Sequence, residues 1–271
     1  LPKLKELQPD CVSLSLDGAI SETHDYIRGI KGAYDKVLES IKLLQKEDIP
    51  VSVITTVSKL NIKELILIRD LLLNRKIAWQ IQIALPIGRF PRDLVISRKE
   101  FYGVAMFIAS SLQKFSIKEL PVIGAHCFGF FSILLPELGL EPWIGCQAGK
   151  SVLGIQSNGN IKGCLTLPDD FIEGNIRTTR LSSILNNKFE LKYNQYSNKI
   201  GLKNYCATCK MFRKCHAGCL GTMLALNTPE TPYCLRAIEK DIFKNMALPF
   251  RWKIDSKISK FKYLYQKILF K

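Results

Sequence analysis

Seven of the nine cysteines lie beyond residue 145, and their spacing constrains this chain more than any other feature. Cys146 is followed by twelve residues, Gly159, four residues and Cys164; then come Cys206-x2-Cys209-x5-Cys215-x3-Cys219, and finally Cys234. Spacings of two and three residues let one loop wrap several thiolates around one inorganic centre. Ser157-Asn158-Gly159-Asn160, flanked by Val152-Leu153-Gly154-Ile155 and Ile161, predicts a β-hairpin that returns Cys164 close to Cys146. Disulfides fit this pattern poorly, because the count is odd, the clusters are too tight for well-formed bridges, and no secretion signal opens the chain. Structural zinc and an iron–sulfur cluster both fit, and spacing leaves them level.

The first third of the chain alternates between two hydrophobic periods. Val12 to Gly18, Val51 to Val57 and Ala78 to Ala84 alternate or are β-branched, which predicts strands. Tyr34, Val37, Leu38, Ile41 and Leu44 form a helical stripe. Asn61 with Glu64 stands at capping-box spacing before the stripe Ile62, Leu65, Ile66 and Leu72, and Ser97 with Glu100 repeats that signal before a helix to Phe115. The order is βαβαβ, so the strands are expected to be parallel. Ser13, Ser15 and Asp17, and then Gln80 and Gln82, place polar groups on one alternating face. Such groups need partners, which a barrel lumen holding a polar ligand or a solvated sheet face would supply. Asp17-Gly18 sits at a strand's carboxyl end, where α/β active sites lie. The α/β pattern is expected to stop before Leu120, and the Pro- and Gly-punctuated run to Pro142 to be a connector.

The cysteine order resembles the seven-cysteine signature of the SPASM domain, the C-terminal extension of many radical S-adenosylmethionine enzymes. Ser15-Leu16-Asp17-Gly18, His24-Asp25, Arg28-Gly29 and Gly32 resemble the stretch after the fourth barrel strand of those enzymes. Pro86-Ile87-Gly88-Arg89 resembles the segment after their sixth strand. The resemblance spans roughly residues 10 to 238. It implies an α/β fold, the C-terminal half of a partial (βα)6 barrel with parallel strands, plus a small cysteine-rich iron–sulfur domain. The expected layout is 1–118 partial barrel, 119–145 connector, 146–239 SPASM domain and 240–271 tail.

The resemblance also implies two auxiliary [4Fe–4S] clusters. Cys146, Cys164 and Cys219 would hold the first, and Cys206, Cys209, Cys215 and Cys234 the second. Some members add an eighth cysteine shortly after the first; none lies between Cys146 and Cys164 here. Cys127 and Cys11 are expected to be structural thiols, Cys11 in the core. Ser15, Asp17, Arg28 and Arg89 are the candidates for contact with S-adenosylmethionine or substrate. The catalytic CxxxCxxC of the family is absent from this sequence. The expectation is that the first three βα units are missing from this chain, with degeneration as the alternative. In the complete enzyme a catalytic [4Fe–4S] cluster and S-adenosylmethionine would yield a 5′-deoxyadenosyl radical that abstracts hydrogen from a peptide or protein substrate. An electron donor of flavodoxin or ferredoxin type is implied, and a cytoplasmic location.

Charge refines the partner list. The chain carries 39 Lys+Arg against 24 Asp+Glu, a formal +15. From Lys240 to Lys271, nine basic and two acidic residues account for +7 of it. Ile254, Ile258, Phe261, Tyr265 and Ile268 fall on one helical stripe there, so the tail predicts a basic amphipathic helix that lies on a membrane surface, docks an acidic partner, or packs on its own protein. Lys210, Phe212, Arg213 and Lys214 are the nearest approach to an interleaved basic–aromatic pattern in the cysteine-rich region, so nucleic acid is not the expected partner. A non-catalytic, cysteine-rich binding module is the competing class.

Overall fold

Val51, Val53, Thr55 and Val57 are buried while Ser52, Ile54 and Thr56 between them are half-exposed, so one strand already defines a covered face and an open one. A computed structural model describes residues 1–125, 128, 132–138, 146–186, 191–193 and 204–245. The chain divides into two compact units: Leu1–Ala84 with Phe90–Leu140 and Leu235–Lys271, and Leu85–Arg89 with Glu141–Cys234.

The first unit runs α1 (Pro2–Glu6), β1 (Val12–Ser15), α2 (Ser21–Arg28), α3 (Ala33–Lys46), β2 (Val51–Val57), α4 (Leu65–Leu72), β3 (Ala78–Ile83), α5 (Arg98–Lys114) and β4 (Val122–Gly124). The four strands form one parallel sheet in the order β1-β2-β3-β4. The α/β alternation read from the sequence is therefore present, and it extends further than expected. The segment after Leu120 supplies β4, paired to β3 through Trp79↔Val122 and Ile81↔Gly124. Three residues between Pro121 and Ala125 are too few to show a period of two, which is why this stretch reads as a connector.

The covered face is apolar with one internal polar relay. Trp79, fully buried, donates from Nε1 to Thr55 Oγ1 at 2.8 Å, and Thr55 Oγ1 donates to the Leu16 carbonyl at 2.8 Å. Both polar atoms are thereby satisfied, as burial demands. Trp79 meets Phe107 of α5 edge-on at 5.9 Å. The open face carries Ser13, Ser15, Ser52, Thr56, Gln80 and Gln82. Ser13 and Ser52 hydroxyls pair at 2.6 Å, and Gln82 donates to Thr56 Oγ1 at 2.9 Å. Ser97 and Glu100 form a reciprocal capping box that starts α5. The other capping signal fails. Asn61 makes no cap, because its side chain is held by Asp17, Thr56 and Ser58 and that of Glu64 by Ala19 and Thr23; the chain enters α4 through a 3-10 turn instead. Cys11 is exposed just before the edge strand β1, not a core thiol. Cys127 and the tail 246–271 lie outside the described residues.

The helix Leu235–Asn245 belongs to this first unit. Its Glu239, fully buried, accepts from the Ile133 and Leu134 N–H groups at 2.8 and 3.3 Å and from the Ser132 hydroxyl, with the Tyr102 hydroxyl at 3.5 Å. These donors replace the water a buried carboxylate loses.

The second unit holds an antiparallel sheet, β5 (Gly154–Ile155), β6 (Asn160–Lys162) and β7 (Ile172–Asn175), followed by α6 (Leu181–Asn186), α7 (Phe212–Cys215) and α8 (Leu220–Leu226). The expected hairpin is present, and Gly159 at its turn has φ +91°, a conformation that favours glycine. Lys162 is buried, and its ammonium group donates to the Leu167 carbonyl at 2.8 Å and pairs with Asp169 at 2.6 Å.

Candidate functional site

Asp17 is 1% exposed at the carboxyl end of β1 and is bound on every side. Its Oδ1 accepts from the Thr56 N–H at 2.7 Å, and its Oδ2 pairs with Arg28 Nε at 2.9 Å. Its own N–H donates to His24 Nδ1 at 3.1 Å, and its carbonyl accepts from Asn61 Nδ2 at 2.8 Å. Burial raises the Asp17 pKa; the Thr56 N–H, the Arg28 guanidinium and His24 oppose that rise. Burial lowers the His24 pKa, and Nδ1, already accepting a proton from a backbone N–H, has no room for one of its own.

The next residues build the turn around this carboxylate. Asp25 accepts from the Gly32 and Tyr34 N–H groups at 2.5 and 2.8 Å, which tethers the start of α3. Glu64 accepts from Ala19 N–H at 2.6 Å and Thr23 Oγ1 at 2.5 Å. A Cβ on Gly18 would stand 2.6 Å from the His24 backbone nitrogen, so only glycine fits. The structure thus joins Asp17 to Arg28, with the carboxylate and Nε engaged inside the protein. Ser15 is half-exposed on the open sheet face, and its hydroxyl has no hydrogen-bond partner among the described residues. Arg89 is exposed in the second unit, beside Gly88 at φ +64°. Thr56, Asn61 and Glu64 complete the Asp17 turn and were not singled out from the sequence as site residues. Their only local signal, the Asn61–Glu64 spacing, pointed to a cap.

Seven cysteines lie in the second unit. Tyr193 is buried in an apolar cluster that also holds Cys206, with Cys146 and Cys164 packed against it. Burial, then Cys146, pushes its phenol well above the usual range. Cys215 and Cys234 act likewise on Cys206, and Cys234 and Cys209 on Cys215. Burial pushes the Cys206 thiol well up and that of Cys215 up to about 11. Bound metal would reverse both shifts by holding the sulfurs as thiolates.

The backbone between Cys215 and Cys219 reverses sharply. After α7, His216, Ala217 and Gly218 all have positive φ, at 48°, 65° and 110°. Two of the three are not glycine, which costs about 1–2 kcal/mol each. The Ala217 N–H is directed at the Cys215 sulfur and opposes the upward shift that burial causes. Among the described residues no three His, Cys, Asp or Glu side chains converge tightly enough to hold one metal ion. Thiolates on a tetrahedral zinc, with bonds of about 2.3 Å, stand under about 4 Å apart. Thiolates bound to separate irons of one core are spread wider, and an all-sulfur donor set suits such cores.

Residues 146–210 match the SPASM family, an iron-sulfur cluster-binding domain. The chain is 27% identical over 247 residues to the AdoMet-dependent heme synthase of Methanosarcina barkeri (strain Fusaro / DSM 804), covering 86% of this chain and 69% of that one. It is 29% identical over 214 residues to the antilisterial bacteriocin subtilosin biosynthesis protein AlbA of Bacillus subtilis (strain 168), covering 73% of this chain and 44% of AlbA. Its fold is similar to that of Streptococcus suis SuiB bound to precursor peptide SuiA, with a TM-score of 0.58 at 17% identity over 81% of this chain and 51% of SuiB. Residues 146–210 thus match an iron-sulfur cluster-binding domain, and most of the chain is similar to AdoMet-dependent heme synthase and to AlbA. It spans about two thirds of the heme synthase and less than half of AlbA. Among the described residues no helix is long and apolar enough to cross a membrane.

Proposed function

We propose that this chain is the C-terminal portion of a maturase that modifies a peptide or protein side chain after hydrogen abstraction by a 5′-deoxyadenosyl radical. The observation that carries the reading is the match of residues 146–210 to an iron-sulfur cluster-binding domain, with Cys146, Cys164 and Cys219 as one proposed ligand set and Cys206, Cys209, Cys215 and Cys234 as the other. These residues would hold two auxiliary [4Fe–4S] clusters, whose chemistry is electron relay or substrate binding. The chain's own residues fix the geometry. Arg28, Thr56 and His24 hold the Asp17 turn at the mouth of the sheet, and Ser15 offers a free hydroxyl to the ribose or amino-acid part of S-adenosylmethionine. Gln80 and Gln82 line the same face with amides suited to a peptide backbone. Arg89, exposed beside Gly88, would bind a carboxylate. The electron donor is of flavodoxin or ferredoxin type, and the site is cytoplasmic.

The sequence lacks CxxxCxxC, so these 271 residues alone bind clusters without cleaving S-adenosylmethionine. Anaerobic reconstitution tests the reading: roughly eight irons per chain with broad iron–sulfur absorption are expected. Zinc at one or two per chain and no iron would overturn it. A second reading, a tetrapyrrole substrate, is favoured by the heme synthase match across 86% of this chain. Binding of an iron porphyrin in preference to leader-bearing peptides would select it.

A further inference from the structure

Cys164 opens a turn that is pinned at its far end. The Leu167 N–H donates to the Cys164 carbonyl at 3.2 Å, and the Leu167 carbonyl accepts from the buried Lys162 ammonium group at 2.8 Å. The Leu167 side chain is buried in the apolar cluster against which Cys164 packs. Within this turn the Thr166 hydroxyl lies 3.0 Å from the Cys164 sulfur. Gly221 of α8 supplies the opposite wall. A Cβ there would stand 2.4 Å from Thr166 Oγ1 and 3.8 Å from the Cys219 sulfur, so the absent side chain leaves the room that the hydroxyl fills. One hydroxyl is thus lodged between the turn that carries Cys164 and the helix that follows Cys219.

We infer that Thr166 tunes the centre held by Cys146, Cys164 and Cys219, its hydroxyl donating a hydrogen bond to the Cys164 sulfur. This rests on the cluster reading above. A thiolate bound to iron carries no proton, so the hydroxyl is the donor. Ligands of separate irons stand further apart than 3.0 Å, so the Thr166 oxygen serves the sulfur and does not bind an iron of its own. A hydrogen bond to a cluster sulfur withdraws charge from the core, which stabilises the reduced state and raises the reduction potential. Gly221 is the position that admits the hydroxyl, and any larger residue there would push it off the sulfur.

Thr166 is exposed, so its replacement asks no core residue to move. Thr166→Val keeps the branched shape and removes the hydroxyl; Thr166→Ser keeps the hydroxyl. The anaerobically reconstituted proteins are compared by iron content and by redox titration followed by electron paramagnetic resonance. The expected result is equal iron in wild type and both variants, with one midpoint potential lower in Thr166→Val and restored in Thr166→Ser. The signal that shifts should be the one missing from Cys219→Ser. Equal potentials in wild type and Thr166→Val overturn the inference and leave the cluster reading standing, as does a shift confined to the other signal. Absence of iron from the wild type overturns both. Should Thr166→Val not load iron, Gly221→Ala carries the test with Thr166 intact. Its methyl group displaces the Thr166 hydroxyl, the movable end of a side chain, and should lower the same potential; an unmoved potential overturns the inference.

Discussion

Arg28 Nε lies 2.9 Å from Asp17 Oδ2, joining the last residue of α2 to the carboxyl end of β1. The partners are unequally exposed: the Asp17 side chain is 2% accessible and that of Arg28 37%. Removing either member therefore has different consequences. Asp17→Ala strips Thr56 N–H of its acceptor and frees Arg28 into water, an expected loss of about 2–3 kcal/mol. Asp17→Asn keeps an acceptor for Thr56 and should lose about 1–2 kcal/mol. Arg28→Ala leaves a buried carboxylate without its cation and should approach the Asp17→Ala value. Urea midpoints measure all three, and an Asp17→Ala protein as stable as the parent would refute the packing described.

His24 gives the fold an acid limb. Its folded pKa is lowered from 6.5, chiefly by burial, with Arg28 also lowering it and Asp17 and Asp25 opposing. Below pH 6.5 the unfolded chain gains a proton that the folded chain refuses, so the unfolded state binds more protons. Stability then rises with pH through this window and is lost as pH falls, by at most about 1.4 kcal/mol per pH unit. His24→Gln can still accept from Asp17 N–H and has no proton to gain. Melting curves between pH 5 and 6.5 should show a shallower slope for the variant; identical slopes would contradict a neutral His24.

Two glycines near this turn should respond differently to a methyl group. Gly18→Ala drives Cβ into the His24 backbone nitrogen at 2.6 Å and the Ile20 carbonyl at 3.0 Å, neither of which is a movable side-chain end. The expected loss is about 2–3 kcal/mol. Gly29→Ala meets nothing within 4 Å and suffers only its φ of +67°, an expected loss of about 1 kcal/mol. Denaturation of the two variants side by side checks the order.

Cys215 and Cys219 are four residues apart and are proposed as ligands of different clusters. On the cluster reading, Cys219→Ser should reduce iron from roughly eight towards roughly four per chain by emptying the centre beside Tyr193. Cys215→Ser should reduce it by a similar amount by emptying the other. Magnetic resonance spectra of the two variants should each retain a different one of the wild-type signals. The same signal surviving in both would mean that the two cysteines share a centre.

Strands β1 to β3, the helices between them and the 154–162 hairpin were legible because each follows from a local period or a turn signal. β4 was not, since three residues carry no period. Asn61 and Glu64 misled because a capping box and a tertiary clamp use the same donors and acceptors; Asp17, Ala19 and Thr23, over 40 positions away, outcompete the local helix end. Cys11 misled because an apolar strand follows it, but that strand lies at the sheet edge.

By itself the sequence determined the parallel α/β order, the hairpin and a cysteine register suited to inorganic centres, because covalent spacing and side-chain periodicity are properties of neighbours along the chain. Only the tertiary structure decided that Arg28 is tied to Asp17 and that Asn61 and Glu64 clamp the Asp17 turn. Those outcomes depend on packing between distant segments, where hydrogen bonds and excluded volume choose partners that linear spacing does not name.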